Sequence, residues 1–116
     1  MFKNLFCCVL LFLCLLNQKV FAQTTQASIS GTVLNNEKKP QVSASVSVRN
    51  ESTGFNTKTL TNAQGDFTFK ELPLGGPYTV SATYVGYGEQ KVSGYTLNQG
   101  DAVKVNINMQ ASDEHA

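Results

Sequence analysis

Val42-Ser43-Ala44-Ser45-Val46-Ser47-Val48-Arg49-Asn50 is the stretch on which the fold turns. Val42, Ala44, Val46 and Val48 alternate with Ser43, Ser45, Ser47 and Arg49. Successive side chains of an extended chain point to opposite faces, so this period of two predicts a strand with one dry face and one wet face. Such a strand cannot bury its apolar face alone and needs a second layer against it.

The pattern recurs on both sides. Upstream, residues 28–34 form a first strand with Ile29, Gly31 and Val33 on one face, joined to the second through the polar turn 35–40. Downstream, Ser52-Thr53-Gly54 turns into residues 55–61, which are mostly polar and therefore suit a sheet edge. Asn62-Ala63-Gln64-Gly65 is a tight turn in which Gly65 suits a positive φ. Residues 66–70 then send Phe67 and Phe69 inward. Residues 72–77 form a rigid connection whose leucines, Leu72 and Leu74, cap the core. Residues 78–85 place Tyr78, Val80, Ala82 and Tyr84 on one face, and Gly86-Tyr87-Gly88 breaks that strand. A sixth strand covers 89–95 and a seventh covers 102–109, with Val103, Val105, Ile107 and Met109 inward. Residues 110–116 are a polar tail expected to fray. After Ala22 no stretch keeps helical apolar spacing for three turns. Seven short strands at intervals of roughly 8–12 residues predict an all-β, two-sheet sandwich.

The first residues stand apart from that fold. Lys3 precedes an unbroken apolar run of twelve residues, 5–16, and Val20-Phe21-Ala22 follows with small or modest residues at the first and third places. This is the pattern of a secretory signal peptide cut after Ala22. Twelve residues of helix rise only ~18 Å, too little for a ~30 Å hydrocarbon core. Residues 1–22 are therefore expected to be removed, with 23–26 a short linker, 27–109 the folded domain and 110–116 its tail. Cys7, Cys8 and Cys14 all leave with the leader, so the exported chain has no disulfide to staple it. Without Lys3 and Lys19, seven basic residues stand against eight acidic ones. That balance offers no field for nucleic acid. No second apolar run could span a membrane as a helix.

Three stretches in order carry a resemblance. They are Ile29-Ser30-Gly31-Thr32-Val33 with Pro40 and Ala44-Ser45-Val46; Thr61-Asn62-Ala63-Gln64-Gly65-Asp66-Phe67; and 72–76 with Pro77-Tyr78-Thr79-Val80, ending in Val85-Gly86-Tyr87. Over about residues 27–109 the chain resembles the carboxypeptidase regulatory-like domain. The resemblance implies a seven-stranded Greek-key sandwich of the prealbumin or transthyretin type, also called a carbohydrate-binding-like fold. The form of 75–80 is similar to the version that precedes the plug in TonB-dependent outer-membrane receptors of Gram-negative bacteria, notably the Bacteroidota. Two positions depart from the family pattern. The family often has Gly before the place of Pro40 and again near Ser43, where this chain has Lys38, Lys39 and Ser43. These departures bear on the turn type and not on the fold.

The residues offer little chemistry. The single histidine, His115, lies in the polar tail, and no Cys accompanies it in the exported chain, so neither a zinc site nor a Ser/His/Asp triad is expected. The carboxylates fall mostly in or beside turns, and the Asn62, Gln64, Asp66 spacing carries too little charge for a dedicated calcium loop. No catalytic residue, cofactor or metal is expected, and the chain reads as a non-enzyme. Two readings assign the chain a function. One is a non-catalytic interaction or accessory module of the cell envelope, periplasmic or associated with the outer membrane, resembling the N-terminal domain of a TonB-dependent receptor without its plug or barrel. The other is a small carbohydrate-binding domain using Phe55, Tyr87 and Tyr95 as ring-stacking aromatics. A third reading, a receptor fragment with no independent role, turns on the DNA downstream of Ala116. The expected partner is thus an envelope protein or a glycan.

Overall fold

The computed structural model describes residues 26–112 of the chain. The expected leader, its three cysteines and His115 lie outside the described residues. Within them every regular element is a strand: β1 Ala27–Leu34, β2 Ser45–Asn50, β3 Asn56–Leu60, β4 Asp66–Leu72, β5 Gly75–Thr83, β6 Tyr87–Gly88, β7 Gln90–Leu97, β8 Ala102–Lys104, β9 Ile107–Asn108 and β10 Gln110–Ala111. One sheet has the order β4-β1-β8, with β9 also on β1, and the other has the order β3-β2-β5-β7. The chain crosses between layers after β1, β3, β4 and β7. This is the two-layer β-sandwich that the period of two predicts.

Both layers give their alternate side chains to one interior. Ile29 and Val33 of β1, Val46 and Val48 of β2, Phe67 and Phe69 of β4, and Tyr78, Val80 and Ala82 of β5 are all buried in a single cluster. Val105, Ile107 and Met109 close it from the last strand run. Each fully buried Val or Ile contributes on the order of 1.5–3 kcal/mol. Tyr78 keeps its hydroxyl satisfied by donating to the Pro73 carbonyl at 2.8 Å. Burial pushes its phenol above the ordinary value, an effect partly offset by the Asn50 side chain.

Several boundaries differ from the sequence expectation, each for a local reason. The second strand starts at Ser45, not Val42, because Ser43 takes a φ of 61° and turns Val42 outward, 46% exposed. Ahead of that strand the backbone bonds to a side chain: Ala44 N–H donates to Thr61 Oγ1 at 2.8 Å, and Thr61 Oγ1 donates to the Gln41 carbonyl at 2.6 Å. The fifth strand starts at Gly75 and ends at Thr83, which leaves Tyr84 exposed at 37%. Of the two leucines expected to cap the core, Leu72 does so and Leu74 is exposed. The sixth strand runs on to Leu97, which is buried in the core.

The seventh run divides in two while keeping one parallel register along β1, with Ser28 opposite Ala102 and Val33 opposite Ile107. The break falls where the Asn106 side-chain oxygen takes the Thr32 amide at 3.3 Å. The Val105 carbonyl, freed from the ladder, sits where a side chain on Gly31 would be. Residues 86–88, expected to be a break, include β6, which pairs with β10. The first two residues of the expected polar tail, Gln110 and Ala111, thus lie opposite Gly88 and Tyr87.

Candidate functional site

The outer face of the β3-β2-β5-β7 sheet is built from the residues that alternate with its buried valines. Register aligns them in rows. Ser45 lies between Leu60 and Thr83, Ser47 between Lys58 and Ser81, and Arg49 between Asn56 and Thr79. Lys91 and Ser93 extend the last two rows onto β7. Ser47 Oγ and Ser81 Oγ share a hydrogen bond of 2.7 Å. Charges sit at the rim: Arg49 meets Glu51 at 3.2 Å, and Lys91 meets Glu89 at 3.9 Å. A hydrogen bond from Thr79, with Arg49 beside it, holds the Glu51 carboxyl below its ordinary range. Exposed ion pairs of this kind add little to stability.

Two shallow depressions mark this face. One, of about 220 Å³, crosses its middle over Ser47, Lys58 and Ser81. The other, of about 520 Å³, lies at the end where β2 begins and β5 stops, lined by Ser43, Ser45, Thr83, Tyr84 and Val85. Exposed apolar side chains collect at the same end. Val85 is 91% exposed and Leu60, in the Ser45 row, is 61% exposed. Three hydroxyls, a tyrosine ring and aliphatic surface can hold a partner by contact and hydrogen bonding. Tyr84, expected inward with Tyr78, Val80 and Ala82, is instead a surface residue, while Val85 lies outward as the alternation implies. No local signal marks Tyr84, because it continues the inward alternation and only the end of β5 at Thr83 turns it out.

The three aromatics singled out from sequence do not share one surface. Phe55 is exposed in the β2–β3 turn, next to Asn50. Tyr95 stands opposite Tyr78 near that end, half-buried against the core. Tyr87 lies toward the other end, also half-buried, with its ring 6.1 Å from that of Tyr84 and its hydroxyl donating to Asn36 Oδ1 at 3.1 Å. The carboxylates near turns are engaged locally. Asp66 Oδ1 accepts from the Thr32 hydroxyl at 2.6 Å, and Asp101 Oδ2 accepts the Asn98 amide at 2.8 Å. Asn62 Oδ1 accepts the amides of Gln64 and Asp66, which is a hairpin turn and not a ligand loop.

These features define a β-sandwich with a hydroxyl-rich sheet face and an apolar end. The model of the carboxypeptidase regulatory-like domain matches residues 28–110, and the chain belongs to that family. No curated protein matches it. Among solved structures it is similar to hydroxyquinol 1,2-dioxygenase from Pseudomonas putida DLL-E4, at 9% identity and a TM-score of 0.61, covering 79% of this chain and 58% of that one. It is also similar to the dioxygenase domain of a dioxygenase–carbohydrate-binding protein fusion from Streptomyces sp. SirexAA-E, at 14% identity and a TM-score of 0.60, covering 80% and 86%. The Bacillus anthracis TIE protein matches at 20% identity and a TM-score of 0.58, covering 75% of this chain and 17% of that one. The chain thus spans little more than half of the first of these and a small part of the third. At such identities the likeness is one of fold alone.

Proposed function

We infer that the protein is a non-catalytic interaction module of the cell envelope, exported by its leader and related to the domain that precedes the plug of TonB-dependent receptors. One observation carries this reading: three of the exposed apolar side chains, Leu60, Tyr84 and Val85, gather at one end of a sheet whose face is otherwise polar, while Phe55 and Leu74 stand apart from them. Apolar surface grouped in this way is a mark of association. The carboxylates described above serve turns and rim pairs, which supports a role without acid–base chemistry. The test is co-purification of the tagged protein from outer-membrane extract. A reproducible envelope partner, lost when Leu60 and Val85 are both changed to Ser, is expected; recovery of no partner contradicts the reading.

A second reading is favoured by the 520 Å³ groove, where Tyr84 lies beside the hydroxyls of Ser43, Ser45 and Thr83. An aromatic ring next to several hydroxyls suits a sugar. On this reading Tyr84→Ala abolishes binding on a glycan array and leaves the melting curve intact. An array without hits removes it.

A further inference from the structure

Three of the four outer sheet edges are spoiled for pairing. On β4 the register with β1 shifts between Ala27 and Ile29, at Glu71, whose φ is 56°, and Asp66, Lys70 and Glu71 charge the strand. On β7, Gly94, with φ 98°, is the extra residue between Ser93 opposite Thr79 and Tyr95 opposite Tyr78. The β8–β9 edge is broken at 105–106. Bulges, breaks and charges are how sheets avoid pairing with other chains.

β3 has no such device except one lysine. Five consecutive residues pair with β2 without a shift of register, from Leu60 opposite Ser45 to Asn56 opposite Arg49. At the ends of this ladder Asn50 N–H donates to the Phe55 carbonyl and Thr61 N–H to the Ala44 carbonyl. Bonded and non-bonded pairs alternate in an antiparallel ladder. Thr57 and Thr59 therefore bond to β2, and the N–H and C=O groups of Asn56, Lys58 and Leu60 point away from the sheet. The side chains of the same three residues are exposed.

We propose that the β3 edge docks an extended segment of a partner protein, which adds a fifth strand antiparallel to β3 with an acidic residue opposite Lys58 and an apolar residue opposite Leu60. This rests on the interaction-module reading and assigns it a site and a mode. Main-chain bonds supply affinity in such additions, and alternate side chains supply choice. Charge selects the occupant. A second copy in full antiparallel overlap sets Lys58 directly against its own counterpart, and like charges placed opposite each other are destabilising. An acidic residue there gains instead, and an apolar one two positions away covers Leu60.

The test tethers a probe strand, Ser-Val-Thr-Glu-Thr-Asn-Ser, to the C-terminus of the protein through a Gly/Ser linker of ~20 residues, whose reach is ~25 Å. Ser112 N–H bonds to the Gly86 carbonyl at the Leu60 end of the sheet, so the probe can enter antiparallel from that end. Tethering raises its effective concentration to the order of mM. Amide exchange at Asn56, Lys58 and Leu60, read by NMR, is expected to slow at least tenfold. Lys58→Pro, which removes an outward N–H together with the lysine charge, is expected to abolish the slowing at Asn56 and Leu60 without lowering the melting temperature. A probe with Lys in place of Glu is expected to lose most of the protection, and Lys58→Glu to restore it for that probe. No slowing at these three amides, or equal slowing with both probes, overturns the proposal. A partner captured from envelope extract equally by the wild type and by Lys58→Pro also overturns the edge assignment, while the module reading stands.

Discussion

Asn35 and Asn62 head two turns of the same construction. In each the asparagine N–H donates to the carbonyl four residues on, to Lys39 or Asp66, and its carbonyl accepts the amide three residues on, from Lys38 or Gly65. In each its side-chain oxygen accepts two further amides, from Glu37 and Lys39 or from Gln64 and Asp66. Gly65 meets the left-handed conformation at φ 78°, whereas Lys38 is held there at 66° and Ser43 at 61°. These are the places where the chain departs from the family's glycines, and the turn at Asn35 survives the departure with a strained residue. A left-handed non-glycine costs ~1–2 kcal/mol, part of which glycine returns as backbone entropy. Lys38→Gly and Ser43→Gly are each expected to stabilise the protein by ~0.5–1 kcal/mol, measured as a higher urea midpoint at constant slope. Tyr78 gives a second prediction at this scale. Its buried phenol ionises above 10, while in the unfolded chain it ionises near 10. Its contribution is whole below pH 10 and is lost as pH rises through the folded value. Tyr78→Phe is expected to cost ~1 kcal/mol at neutral pH, from the lost bond to Pro73, and to flatten the alkaline fall of stability.

Pairing of β1 with the last strand run depends on one missing side chain. A Cβ on Gly31 overlaps the Val105 carbonyl and presses on the Phe67 ring. Because the carbonyl is backbone and both halves of the run share β1's register, it cannot yield without separating the strands. Gly31→Ala is expected to destabilise by at least ~1–3 kcal/mol, seen in chemical denaturation, with the largest amide shifts along 102–109. The strands themselves were legible where alternation was strong: Val46 and Val48, Phe67 and Phe69, and Val80 and Ala82 all point inward as expected. Their ends were not legible, because distant groups decide them. Thr61 takes the Ala44 amide from 17 residues away, Asn106 takes the Thr32 amide from 74 away, and Tyr87-Gly88 becomes a strand only because Gln110-Ala111 lies beside it. None of these couplings leaves a local signature.

In the whole molecule, the two layers leave one sheet with a hydroxyl-rich outer face, an apolar end and an open, regular edge. The edge position of the third strand was legible, since Asn56, Thr57, Lys58 and Thr59 are polar on both faces. The apolar end was not, because Tyr84 continues the alternation of Tyr78, Val80 and Ala82 and only the end of β5 at Thr83 turns it out. Association through the β3 side of this sheet is the mode of action proposed above. Site-specific photocrosslinking in intact cells tests it most directly, with the crosslinker placed at Leu60 on β3 or at Thr68 on the outer face of the other sheet. A discrete higher-mass adduct is expected from Leu60 and none from Thr68. No adduct from Leu60, or the same adduct from both positions, contradicts this mode of action.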